Sequence, residues 1–258
     1  MELLRANFVN TTTQITVNDN TATAGYIFIS DIRFQYSSVN FGNDLTTVSM
    51  TISFAETTTV DRIALVGHNL KSFTAFYNGA TASTFALTSG DTTVSDYSTN
   101  SATSHFFRCT PVDCTSVTFN FKSTITPNQN KYLGYLVISE MLTDFDGRVP
   151  SAANYTPEIT TRSIVHRLSD GGTRVQTLED KWSAELGFDF VTTSVRDSLR
   201  TIFDEHEDLV FCPFGTTTAW DTVIFPCVWV GNFDFYRFSD NAADSGFSGS
   251  IRLSETPQ

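Results

Sequence analysis

A few places in the chain gather side chains able to bind or react. His68 and Asn69 close the run Gly67-His-Asn-Leu70 at the end of an apolar strand, where loops of a β-sandwich carry binding functions. Two readings stay open for this pair: contact with a ligand, or Asn69 capping the turn while His68 satisfies a loop carbonyl. Tyr97, His105 and Phe106 offer ring faces on which a sugar can stack. Asp204-Glu-His-Glu-Asp208 crowds hard oxygen ligands suited to a divalent cation. Consecutive helical residues point apart, however, so a solvated acidic helix end is the better reading. Asp144 and Asp146 before Gly147 lack the twelve-residue calcium pattern and read as linker.

Other chemistry is missing from the pattern. There is no GxGxxG, no GxxxxGK[ST], no GxSxG and no HExxH. The expectation is therefore no catalytic residue, no cofactor and no metal. Among 28 acidic residues a glycosidase pair can always be drawn, but nothing selects one, so an enzyme is not expected. Cys109, Cys114, Cys212 and Cys227 include no tight Cys-x2-Cys pair. No basic region and apolar core follow Met1, so buried free thiols are favoured over disulfides. The same absence, with no membrane-length apolar window, sets the expectation of a protein made in, and soluble in, a cytoplasm.

The elements that must position these residues are mostly strands. The 258 residues include 40% hydrophobic side chains and 23 Phe, enough for a core without staples. The net charge of −12 argues against a nucleic-acid groove or an anionic membrane surface as partner. Residues 1–145 carry 7 basic and 11 acidic side chains, and residues 146–258 carry 9 and 17. Val48, Met50, Ile52 and Phe54 alternate with polar residues, whereas Val60–Val66 is nearly continuous, the mark of a strand covered on both faces. Through residue 145 the strands recur every eight to twelve residues with no helix, which predicts a jelly-roll-like β-sandwich. Residues 146–158 read as a linker.

Residues 159–258 read as a second β domain, a sandwich or barrel with one flanking helix. Trp182, Ala184, Leu186, Phe188 and Phe190 share one face of a strand. Ser194 and Asp197 mark a helix start, and Val195, Leu199, Ile202 and Phe203 form one stripe of a helix over about 194–207. Ile159–Leu168 and Thr173–Leu178 flank Asp170-Gly-Gly172, a hairpin signal. With Arg162, His166, Arg167, Arg174 and Gln176, that hairpin reads as polar on both faces, an arm suited to a neighbouring subunit.

Thr47–Asn78, with Val60-Asp-Arg-Ile-Ala-Leu-Val-Gly-His-Asn-Leu70 at its heart, resembles the galactose-binding or discoidin-like jelly roll found on many phage structural proteins. Residues 155–258 are similar to the tail-tube-like domain of phage distal tail and minor tail proteins, in the long hairpin, the strand at Trp182–Val191, the flanking helix and the closing strand Phe247–Glu255. The resemblance implies a non-enzymatic tail component, at the tip, baseplate or distal ring, surrounding the tail channel of a virion. Its implied partners are other copies of itself, as hexamer or trimer, and other tail proteins. It also implies the alternative of a carbohydrate-binding module for host attachment, with His68, Asn69, Tyr97 and His105 as glycan contacts. Specific nucleic-acid binding and membrane insertion are not expected.

Overall fold

A computed structural model describes residues 1–9, 14–18, 27–29, 37–39, 47–78, 87–89, 92–94, 103–145, 155–167, 171–213, 225–237 and 246–255. Tyr97, the linker segment 146–154 and the hairpin turn at 168–170 lie outside these residues. The described chain is mainly β, with one α-helix. In order it runs β1 (Glu2–Arg5), β2 (Ile15–Asn18), β3 (Ile27–Ile29), β4 (Ser37–Val39), β5 (Val48–His68), β6 (Phe73–Asn78), β7 (Leu87–Ser89), β8 (Thr92–Val94), β9 (His105–Phe121), β10 (Leu133–Ser139), β11 (Met141–Asp144), β12 (Tyr155–Arg167), β13 (Thr173–Val191), α1 (Thr193–Glu205), β14 (Leu209–Cys212), β15 (Phe225–Arg237) and β16 (Phe247–Glu255). No described helix is long and apolar enough to cross a membrane. The chain divides into two compact units: Glu2–Leu142 with Val210–Ile224, and Thr143–Leu209 with Phe225–Pro257.

The first unit is built on β5 and β9. They pair antiparallel from Val48↔Phe121 to Leu65↔His105, with register shifts between Ser53 and Thr58 and between Val60 and Arg62. Each shift adds local twist and bends the ladder. What the sequence offers as two pairs of short strands is thus one pair of long, bent ones. β2 flanks β5 and β6 flanks β9 at one end, and β10 flanks β5 at the other. Both ends feed one core: Met50, Ile52, Phe119 and Phe121 from one, Ile63, Leu65, Phe107 and Ile138 from the other. A ladder folded over its own apolar face is a sandwich-like arrangement. Each fully buried Phe adds about 1.5–3 kcal/mol.

The run Val60–Val66 is covered on both faces, as its continuous apolarity requires. Ile63 and Leu65 enter the main core, while Ala64 and Val66 join Leu4, Phe106, Val137, Val210 and Cys212 on the reverse face. Glu2, fully buried, is held by Arg62 at 2.7 Å and by Arg108 at 2.7 Å. Burial alone would lower the Arg62 pKa; the hydrogen bond and charge of Glu2, with Asp61, hold it above its ordinary value.

The second unit contains an antiparallel ladder in the order β15-β16-β13-β12. Trp182, Ala184, Leu186 and Phe188 are buried, with Ile251 and Leu253 of β16 beside them. Phe190 departs from the expected face and is half exposed, because the β13–β16 register shifts between Phe188 and Val191. α1 buries Val195, Leu199 and Ile202, and Phe203 meets Trp229 edge-on at 5.4 Å between ring centres. Its N-cap is Thr192, whose side chain accepts from the Val195 N–H, not the expected Ser194. It ends on His206 in the left-handed region, φ 53°. Among the described residues neither ladder closes on itself, so the barrel expected for the second half is corrected to an open sheet with one helix.

Candidate functional site

The candidates of the first unit lie inside it. Near the end of β5 stands Gly67, whose φ of +64° a side chain would strain; the strand ends at His68 and the chain turns at Asn69. His68 is fully buried and Asn69 nearly so. The Asn69 amide donates to the Asn130 carbonyl at 2.8 Å and its oxygen accepts from the Tyr132 N–H at 3.0 Å. It ties the turn to the loop before β10, so its polar atoms are used up by backbone.

His68 Nδ1 accepts from the Leu70 N–H at 3.0 Å. That leaves the proton of the neutral ring on Nε2, which then donates to His105 Nδ1 at 2.8 Å. The two rings stack with centres 4.9 Å apart, and His105 stacks in turn on Phe107 at 5.8 Å. Burial, and secondarily the charge of His105, push the His68 pKa down to about 3. The structure brings His68 and His105 together, but as a buried, hydrogen-bonded fastening of a turn. His68, His105 and Phe106 are all buried, so none of the three presents a ring face to solvent. Tyr97 lies outside the described residues.

The four cysteines are buried free thiols. Burial pushes Cys109 and Cys114 up to about 11, so neither offers a thiolate at neutral pH. Among the described residues no group of His, Cys, Asp and Glu is arranged to hold a metal ion. His206 caps α1, with the exposed Asp204 paired to Arg200 at 2.8 Å.

The hairpin residues stand on the β12–β13 ribbon, with His166 opposite Arg174 and Ile164 opposite Gln176. His166, Arg167, Arg174 and Gln176 are exposed, and nothing is described of the Arg162 side chain. The ribbon is less polar than expected: Ile159, Val165 and Val175 are exposed too.

The open feature of the second unit is the sheet face opposite α1. Strand alternation places Lys181, Ser183, Glu185, Gly187 and Asp189 of β13 on it, with Ser248, Ser250, Arg252 and Ser254 of β16. β15 adds Val228, Val230, Asp234 and Tyr236, in register with Ser254, Arg252, Ser250 and Ser248. Among the described residues one side of the sheet is thus apolar and buried, the other mostly polar and at least partly exposed, the division an antiparallel sheet permits. A groove of roughly 540 Å³ lies over Glu185, Gly187, Asp189, Asp234, Tyr236 and Ser250. Tyr236 is 66% exposed above it, with its phenol 3.4 Å from the Ser248 hydroxyl. Gly187 has no positive φ, so it spares room on the groove floor without being needed for a turn.

None of these groove residues was singled out from sequence. The signal was present in the small hydroxyl residues at alternate positions of β16, which mark the polar face of a strand. Tyr236 sits in Phe233–Phe238, where an aromatic run reads as core.

No family model and no curated protein matches the chain. Among solved structures it is similar to a chitosan-binding module from a chitosanase/glucanase of Paenibacillus sp. IK-5, with 14% identity over 51% of this chain and 97% of that one, at a TM-score of 0.39. It is similar to a GH29 fucosidase of Ruminococcus gnavus, with 8% identity over 52% of this chain and 26% of that one, at 0.34. It is similar to the CBM32-1, CBM32-2 and M60 catalytic domains of ZmpB from Clostridium perfringens, with 18% identity over 58% and 16%, at 0.35. None of these is a tail protein. The expected membership of a phage tail family, with its tail-tube domain and its ring around a tail channel, is corrected on this finding and on the absence of barrel closure among the described residues.

Proposed function

We propose that the protein is a carbohydrate-binding module whose binding surface is the open face of β13, β15 and β16, and that it binds without catalysing. One observation carries the reading: an exposed tyrosine ring stands beside hydroxyls and carboxylates on a mostly polar sheet face. A sugar ring has an apolar C–H face that stacks on an aromatic, and an equatorial fringe of hydroxyls. Ser250 can accept from or donate to those hydroxyls, Ser248, whose proton goes to the Phe188 carbonyl, can accept from them, and Glu185, Asp189 and Asp234 accept from them as charge-assisted acceptors. The groove is shallow and open, which suits a polymer passing over it more than a small molecule enclosed by it.

The Ser248 hydroxyl donates to the Phe188 carbonyl at 3.0 Å, which supports reading it as part of a binding floor. The fold of the first unit, a jelly-roll-type sandwich in this reading, supplies a second rigid body and not the contact surface.

The test is a panel of soluble polysaccharides run in affinity gels against the wild type and Gly187→Leu. The leucine side chain would project into the groove, and the strand tolerates it because the backbone there is ordinary. Retarded migration of the wild type, lost in a variant with an unchanged melting temperature, is the expected result. Equal retardation of both would remove the groove from the account.

A further inference from the structure

We infer that the binding face is one continuous track for a linear polysaccharide carrying both amino groups and carboxylates. The inference deepens the reading above and rests on it. A second groove, of roughly 600 Å³, lies on the same face of the sheet and is lined by Thr160, Lys181, Ser183, Val230, Arg252 and Ser254. The strand register joins the two. Glu185, in the first groove, is the Cα partner of Arg252, in the second, and the same row continues to Val230 on β15 and Thr156 on β12. The grooves therefore abut along β13, and each has Ser and Thr side chains in its lining.

Along this track the charge changes sign. Asp189 and Asp234 flank the Tyr236 end, Glu185 and Arg252 face each other in the middle row, and Lys181 stands at the far end, with Glu158 4.0 Å from Arg252. Lys181 and Asp189 are eight residues apart on one extended strand, a span of about 26 Å. That is longer than a disaccharide and fits an oligomer of several rings. Ammonium groups on the chain would meet the carboxylate end, and carboxylates would meet Lys181 and the Arg252 fork, each as a charge-assisted contact. A purely cationic chain would gain at one end and lose at the other, and a purely anionic chain the reverse.

The probe is de-N-acetylated hyaluronan, in which free amines alternate with carboxylates. Its controls are hyaluronan, which lacks the amines, and chitosan oligomers, which lack the carboxylates. Binding of the full chain is measured by calorimetry at low salt, with disaccharide and decasaccharide forms of the probe. The expected result is a decasaccharide at least tenfold tighter than the disaccharide and than either control, with about tenfold lost separately in Tyr236→Ala and in the double variant Lys181→Ala/Arg252→Ala. A disaccharide as tight as the decasaccharide, or a double variant that binds like wild type while Tyr236→Ala does not, overturns the continuous track and leaves the single groove standing. Binding of the probe and both controls unaffected by either variant, or binding of none of them, overturns both.

Discussion

The imidazoles of His68 and His105 share one hydrogen bond of 2.8 Å inside the first unit, and the Leu70 N–H fixes which ring donates it. A buried pair of this kind has a sign to its pH dependence. His68 is held neutral in the fold, with its pKa lowered from 6.5 to about 3 by burial first and by His105 second. The unfolded chain therefore binds a proton below 6.5 that the folded one refuses. Stability is full above the unfolded value and falls as pH drops through the window between the two. The expected loss from this residue is about 2 kcal/mol between about pH 7 and pH 5. Urea melts at the two pH values check it, together with the His68 ring resonance, which should show no titration down to about pH 4. A midpoint near 6 for that resonance would show that the ring is hydrated.

Glu2 and Arg62 supply a second expectation. Glu2 is fully buried and has Arg62 and Arg108 each at 2.7 Å. Arg62→Ala leaves a buried carboxylate with one of its two cations and should cost about 3–5 kcal/mol. Denaturant unfolding of the full chain measures it. A loss under about 0.5 kcal/mol would place the pair with ordinary surface ion pairs.

At α1 the expectation separates two neighbours. Thr192→Ala removes the side chain that accepts from the Val195 N–H and should cost about 1 kcal/mol, whereas Ser194→Ala should stay within about 0.5 kcal/mol. Equal costs would return the cap to Ser194. Leu199→Ala, at a fully buried position of the same helix, should cost about 2–5 kcal/mol.

These cases mark what the chain spells out locally and what it does not. Alternation in Trp182–Phe188 and continuity in Val60–Val66 were legible, because one-sided or two-sided burial dictates the residue at every step. The length of β5 and β9 was not, since Thr57–Thr59 looks like a break and becomes a bend only when β9 bends with it. Val210 and Cys212 covering the reverse of β5 depended on a return of the chain from more than a hundred residues away. His68 and Asn69 were legible as chemistry but not as buried chemistry, because the loop that hides them, Asn130 to Tyr132, lies sixty residues on. The open face was hidden for the opposite reason: Ser, Asp and Glu at alternate positions are what any solvated strand carries. Only the pairing of β13, β15 and β16 gathers them around Tyr236.

The central claim stands or falls on Tyr236. Its ring is 66% exposed, so replacing it should leave stability within about 0.5 kcal/mol. The direct measurement is an NMR titration of wild type and Tyr236→Ala with the de-N-acetylated hyaluronan decasaccharide. The account predicts shifts concentrated on Glu185–Asp189, Asp234–Tyr236 and Ser248–Ser250 in the wild type, and affinity at least tenfold weaker in the variant. Shifts confined to the first unit, or an affinity unchanged by the substitution, would contradict it.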